Sequence, residues 1–258
     1  MKIFSIIFPI ILFFYSNVTL SSNVIRVVTE EFPPYQVLDN GKLVSGTAFF
    51  LAEEMLKRAN IKTQVEVLPW ARAYAIASTE PNVVIFSLAR NETRENKFKW
   101  LYQIDSLNYH FYTLSSRPDL QQVNIADALS YVAVSVRNSS EAQALISMGY
   151  VEGKNLIFTC DYKDAWQMLA LGRADFTYAT QLFQDAFVEL PSNNPPLFVK
   201  AFHRNESSAL YIAASINTDV STLLKLRLSL KSMHEDGTAE KLLLKPSMNS
   251  NVLRPVIN

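Results

Sequence analysis

The residues best suited to chemistry in this chain are polar side chains that directly follow short apolar runs. Arg94 is the first of these. The run Val83 to Phe86 is β-branched and apolar, as a buried strand requires, and Ser87 to Thr93 reads as a polar turn leading to Arg94. A guanidinium held there can grip a carboxylate: its planar fork matches two carboxylate oxygens, and ligands of open α/β sheets sit at the carboxyl ends of strands. The alternative is a surface ion pair. Ser87 offers a hydroxyl from the same strand end. Upstream, Pro69-Trp70-Ala71-Arg72 closes another strand. Trp70 is suited to an apolar wall of a cleft or to the core, and Arg72 to a second positive charge or to a solvated helix face. Ser139 and Ser140 stand at a predicted helix start, whose free amides and positive dipole end suit an anion, or they serve only as caps.

The elements that must position these groups alternate between strand and helix, which predicts an α/β fold. Val24 to Thr29 is a strand. Thr47 to Asn60 is a helix with Ala52, Met55, Leu56 and Ala59 on one face, and with Glu53/Lys57 and Glu54/Arg58 pairs on the other. Strands at Gln64 to Leu68 and Val83 to Phe86 flank a short helix from Ala71 to Ser78. A second such unit has strands at Tyr131 to Val136, Asn155 to Thr159 and Asp175 to Tyr178. Its helices run from Ser139-Ser140 to Met148, from Lys163 to Leu171 before Gly172, and from Gln181 to Leu190 before Pro191. A strand at Ala209 to Ser215 and helices at Asp219 to Glu235 and Ala239 to Leu244 close the chain.

Composition narrows the function classes. Lysine plus arginine equals aspartate plus glutamate at 24 each, so no basic face is implied and nucleic acid is not an expected partner. Lys2 followed by the apolar Ile3 to Tyr15 and by small residues through Ser21-Ser22 reads as a cleaved secretory signal over residues 1–22. The apolar run falls short of the roughly 20 residues that span a bilayer, leaving an uncleaved anchor as the alternative. The single cysteine, Cys160, rules out an intramolecular disulfide and is expected to be a buried structural thiol. His110, His203 and His234 show no metal-ligand spacing, and no phosphate loop or nucleophile elbow is present. No catalytic residue, metal or cofactor is therefore assigned. The triplet Asn91-Glu92-Thr93 fits a glycosylation pattern that often arises by chance.

Three further segments, Thr29-Glu-Glu-Phe-Pro-Pro-Tyr35, Leu171-Gly-Arg-Ala-Asp175 and Met233-His-Glu-Asp-Gly-Thr-Ala-Glu-Lys241, together with the Arg94 stretch, resemble family 3 solute-binding proteins in the right order. These are the extracytoplasmic receptors of amino-acid ABC transporters. The resemblance covers essentially the whole mature chain. It implies a two-lobed, type II periplasmic-binding-protein-like fold, each lobe a small sheet flanked by helices. Lobe 1 would comprise residues 23–108 and 207–258, and lobe 2 residues 109–206. Two crossings, near Asn108 to Tyr112 and Ser207 to Ile212, would form a hinge.

The resemblance also implies a function: a monomer in the periplasm that captures a small carboxylate-bearing, amino-acid-like solute for an ABC permease. By the same resemblance Arg94 holds the ligand's α-carboxylate, Glu30 contributes a polar contact, and Phe32 stacks on the ligand unless it packs in the core. The family's acidic partner for the α-ammonium falls close to Thr180, which carries no charge. A ligand lacking a free ammonium is therefore expected, unless Glu30 reaches that group from the opposite lobe. Two alternatives share the fold: a cyclohexadienyl-dehydratase-like enzyme with Glu30 as proton donor, and a free-standing sensory receptor.

Overall fold

A computed structural model describes residues 24–180, 182, 198–202 and 206–244. The expected signal segment, His203, and all but Leu182 of the expected helix from Gln181 to Leu190 lie outside them. The described residues form a mixed α/β fold. Its strands are β1 (Ile25–Thr29), β2 (Val37–Asp39), β3 (Lys42–Ser45), β4 (Thr63–Val67), β5 (Val83–Ala89), β6 (Phe98–Leu114), β7 (Ala133–Val136), β8 (Leu156–Thr159), β9 (Phe176–Thr180), β10 (Phe198–Lys200) and β11 (Glu206–Ser215). The helices are α1 (Thr47–Arg58), α2 (Trp70–Thr79), α3 (Ile125–Ala128), α4 (Ser140–Ser147), α5 (Tyr162–Ala170), α6 (Val220–Glu235) and α7 (Thr238–Leu244).

The sheet runs β4-β1-β5-β11-β6-β9-β7-β8, with β10 also on β6. It holds two parallel trios. In one, β1 lies between β4 and β5; in the other, β7 lies between β8 and β9. The antiparallel β11 and β6 bridge them. The two small sheets expected are thus joined into one hydrogen-bonded path, because the 17-residue β6 pairs with β11 along most of its length and with β9 and β10 at its end.

Sequence pattern explains the elements that matter for the strand ends. Every residue of β5 is buried, as expected of a strand covered on both faces by helices. Contrary to the expected turn from Ser87, β5 continues through Ala89, because Leu88 and Ala89 pair with Tyr211 and Leu210 of β11. Ser87 takes a positive φ of 59° inside the strand, opposite a register shift in β11. Helix α1 buries Leu51, Ala52, Met55 and Leu56. Its Arg58 bonds Glu54 at 2.7 Å, while Lys57 reaches Glu54 at 3.7 Å rather than the expected Glu53.

Arg58 also donates to Asp236 and Thr238, which ties α1 to the chain's last two described helices. Gly46, before α1, has φ 124°, and a Cβ there would lie 2.1 Å from the carbonyl oxygen of Tyr35. Only glycine lets the β2-β3 hairpin pass so close. Cys160 is exposed rather than buried, since it sits in the bend between β8 and the Asp161 cap of α5. Among the described residues no helix is long and apolar enough to cross a membrane, and no group of three or more His, Cys, Asp or Glu is placed to hold a metal ion.

Candidate functional site

The carboxyl ends of five parallel strands converge on one point. Glu30 and Phe32 follow β1, Trp70 opens α2 after β4, and Ser87, Ala89 and Arg94 come from the end of β5 and the turn beyond it. From the other trio, Ser139, Ser140 and Glu141 follow β7, and Tyr162 follows β8. Tyr109 of β6 and Leu210 of β11 complete the lining. The N-termini of α2, α4 and α5 all lie here, so three positive dipole ends face the same space. That space is about 10 Å³, close to the volume swept by a single water. A chamber of about 460 Å³ adjoins it, sharing Tyr109, Ser140 and Glu141 and adding Arg90, Asn91, Thr93, Gln143 and Tyr178.

Arg94 is fully buried. It heads a short 3-10 turn, Glu95–Lys97, and its side chain runs back under β5. Nη1 donates to the Ala89 carbonyl at 3.0 Å, and Nη2 donates to the Asn138 carbonyl at 2.9 Å. The guanidinium carbon also lies 5.6 Å from the Trp70 ring centroid and 4.9 Å from that of Tyr74, within reach of cation–π attraction. Trp70 Nε1 donates to the same Asn138 carbonyl at 2.9 Å. Asn138 reaches this position with φ 62°, a left-handed conformation that asparagine tolerates better than most residues. The Nε–H of Arg94 has no hydrogen-bond partner among the described residues.

The other polar groups are ordered around this arginine. Ser87 Oγ donates to Gln36 Oε1 at 2.7 Å, and Gln36 Nε2 donates to Thr29 Oγ1 at 2.7 Å, a buried chain linking β5 to β1. Ser139 is the N-cap of α4, its Oγ accepting the Ala142 amide at 3.0 Å. Ser140 Oγ donates to Glu141 Oε2 at 2.9 Å, and the Tyr162 hydroxyl donates to Glu141 Oε1 at 3.1 Å. Asn91 and Thr93 both donate to the Gln143 side-chain oxygen, a second link between the trios. Phe32 stacks on Tyr35 and tilts against Tyr162, both centroids 5.5 Å away.

Electrostatically the point is unusual in holding two buried acids. Glu30 is pushed well above the usual carboxylate range by burial, then by Glu141 and Asp161, with Arg94 opposing. Glu141 is also raised, mainly by burial, against the hydrogen bonds and the Arg94 charge that favour its ionised form. The same burial pushes the phenols of Tyr109 and Tyr162 up and the Arg94 guanidinium down.

Of the residues expected from sequence, Glu30, Phe32, Trp70, Ser87, Arg94, Ser139 and Ser140 are brought together. Arg72 is not: it is exposed on the outer face of α2. Thr180 is not either. It is buried beside a separate hollow of about 260 Å³ with Tyr35, Asp105, His110 and Lys200, and its hydroxyl has no hydrogen-bond partner among the described residues. Sequence reading missed Glu141, Tyr109 and Tyr162. Glu141 directly follows the two predicted capping serines, so its position beside them was a usable signal. A larger hollow of about 490 Å³ beside α1, lined by Phe49, Glu53 and Val65 among others, gathers none of the candidate residues.

No family model matches the sequence, and no curated protein matches it either. Solved structures do match. A histidine kinase sensor domain with similarity to periplasmic binding proteins aligns with TM-score 0.72 at 18% identity, over 85% of this chain and 93% of its own. The arginine-, lysine-, histidine-binding protein ArtJ of Geobacillus stearothermophilus aligns with TM-score 0.71 at 14% identity, over 90% of this chain and 100% of its own. An ancestral arginine-binding protein bound to arginine aligns with TM-score 0.69 at 20% identity, over 85% and 96%. At such identities the likeness shows the fold, which is therefore that of the periplasmic binding proteins.

Proposed function

We propose that this chain is an extracytoplasmic solute-binding protein that captures a small, amino-acid-like solute bearing a carboxylate and presents it to an ABC permease. The observation that carries this reading is the buried Arg94, held at the meeting point of five strand ends with its Nε donor still open. Its two bonds to backbone carbonyls fix the guanidinium plane, leaving Nε–H, and beside it a second N–H on each Nη, for an anion. Similar structures bound to arginine or glutamine support an amino-acid-like solute. We propose lobes at 23–108 with 207–258 and at 109–206, a signal at 1–22, and a monomer working in the periplasm. In that reading β6 and β11 are the hinge, and the small enclosed volume corresponds to the shut cleft.

A thermal-shift screen with amino acids, peptides, organic acids and sugars tests the proposal. A true ligand at a hundredfold excess over its Kd stabilises by about 2.7 kcal/mol. No response from any class sinks the reading. Two other readings have a specific observation each. The pair of raised carboxyls, Glu30 and Glu141, is the kind of environment that tunes an acid for proton transfer, and turnover of a prephenate-like compound would favour a dehydratase. The similarity to a histidine kinase sensor domain favours a sensory receptor, which a sensor gene adjacent to this one would support.

A further inference from the structure

We propose that the outward face of α6 docks on an anionic membrane surface, an inference independent of the solute-binding reading. The helix covers Val220–Glu235 and is apolar on two sides. Leu226, Leu230 and Met233 are buried against the core, and Ser229 Oγ donates to the Met55 carbonyl of α1 at 2.6 Å. Val220, Leu224 and Leu228 lie opposite, 83%, 56% and 56% exposed. Residues four apart advance by about 40° around a helix, so these three share one face about 12 Å long. A helix that covers a core on one side carries polar residues on the other. Three large apolar side chains aligned on the outer side call for a second covering.

Charge selects what covers it. Between Asp219 and Glu235 the sequence holds no acid and three cations besides His234, namely Lys225, Arg227 and Lys231. All three are exposed. Acids stand only at the ends of the helix: Asp219 before its first turn, Glu235, which Lys231 reaches at 3.7 Å, and Asp236, which is bound to Arg58. His234 is bound to Glu240 of α7. A second copy fits poorly, because two-fold pairing of the stripe, parallel or antiparallel, sets Lys225 and Arg227 against the cations of the other copy. An anionic lipid surface answers both features. The three apolar side chains enter the boundary between headgroups and acyl chains, and the long cationic side chains reach the lipid phosphates. The contact is peripheral, with the helix lying along the surface and its buried face still on the core.

Sedimentation of the secreted protein with phosphatidylcholine vesicles, with and without phosphatidylglycerol, tests this. Binding is expected where phosphatidylglycerol is present and is expected to weaken as salt is raised. Lys225→Gln, Arg227→Gln and Lys231→Gln together are expected to lower the affinity about a hundredfold, about fivefold for each cation. Leu224→Ser with Leu228→Ser is expected to lower it roughly tenfold or more. All five positions are exposed, so the melting temperature should stay close to that of the wild type. Absence of binding to phosphatidylglycerol vesicles, equal binding to the neutral ones, or binding that the triple glutamine variant retains overturns the proposal. So does self-association that the double serine variant abolishes, which would give the stripe to a second copy. The lipid and salt dependence of the wild type needs no variant to fold.

Discussion

Arg94 and Trp70, from different turns of the same half of the sheet, donate to one and the same acceptor, the Asn138 carbonyl at the head of α4 in the other half. Two donors on one carbonyl satisfy both of its lone pairs. The two parallel trios are therefore held together at their strand ends by side chains that the proposed ligand must also meet. Closure and recognition use the same atoms.

Arg94→Ala is accordingly expected to do two things. It removes a charged donor from the buried Ala89 carbonyl and from the part-buried Asn138 carbonyl, so it lowers folding stability by roughly 2 to 4 kcal/mol, and it abolishes binding of any carboxylate ligand. Urea unfolding and calorimetry read the two effects separately. Arg94→Lys is expected to rescue little, because an ammonium cannot serve both carbonyls and still present a planar donor. Wild-type affinity in either variant would remove Arg94 from the site.

Trp70→Phe keeps the aromatic wall and deletes the Nε1 bond to Asn138. A loss of about 1 kcal/mol in the stability of the shut form follows from a hydrogen bond of ordinary strength. A ligand-induced change in tryptophan fluorescence should vanish in this variant. If it persists at full size, Trp100 or Trp166 is the reporter and Trp70 does not sense the ligand.

The buried acids make stability fall as pH rises. Glu30 and Glu141 have folded-state values above their unfolded ones, so the native state binds more protons, and the linkage slope is negative from the ordinary carboxylate range, about 4.5, upward. The acids held low by their hydrogen-bond partners, Glu66 by Arg26, Glu95 by Arg90, and Asp236 by Thr238 and then Arg58, act below that range. The ligand-free melting temperature is thus expected to be higher near pH 5.5 than at pH 8, and Glu30→Gln with Glu141→Gln to flatten the slope. A flat wild-type profile would show that both acids stay solvated.

Gly46→Ala is expected to destabilise by roughly 1 to 3 kcal/mol or more, since it forces a Cβ into a left-handed backbone and onto the Tyr35 carbonyl. The midpoint of urea unfolding checks this. An unchanged midpoint would mean that the β2-β3 hairpin shifts freely.

The site was legible in the sequence where local pattern and position coincide. Arg94, Trp70, Ser87, Ser139 and Ser140 all follow apolar runs or capping signals, and such runs end where a parallel sheet exposes its functional edge. Strand β6 was not legible. Bulges opposite Leu210/Tyr211 and Ile212/Ala213 break its period-two pattern, so charged and aromatic residues alternate irregularly along it. Tyr109 was lost with it. Glu141 resembles an ordinary first-turn acid of a helix, and only the packing of Tyr162 and Arg94 around it shows that it is buried. Cys160 misled for the opposite reason: its residue type favours the core, and the bend before α5 places it outside.

The sheet order has a consequence for how the chain is made. Strand β5 lies between β1 and β11, and β11 is some 120 residues further along the sequence, from Glu206 to Ser215. As the polypeptide emerges from its N-terminus, β1, β4 and β5 can assemble early, but one flank of β5 stays open until β11 arrives. The later β7-β8-β9 trio is complete before that. Half-made chains therefore expose an apolar seam, and any holdase that escorts this protein has its natural target there.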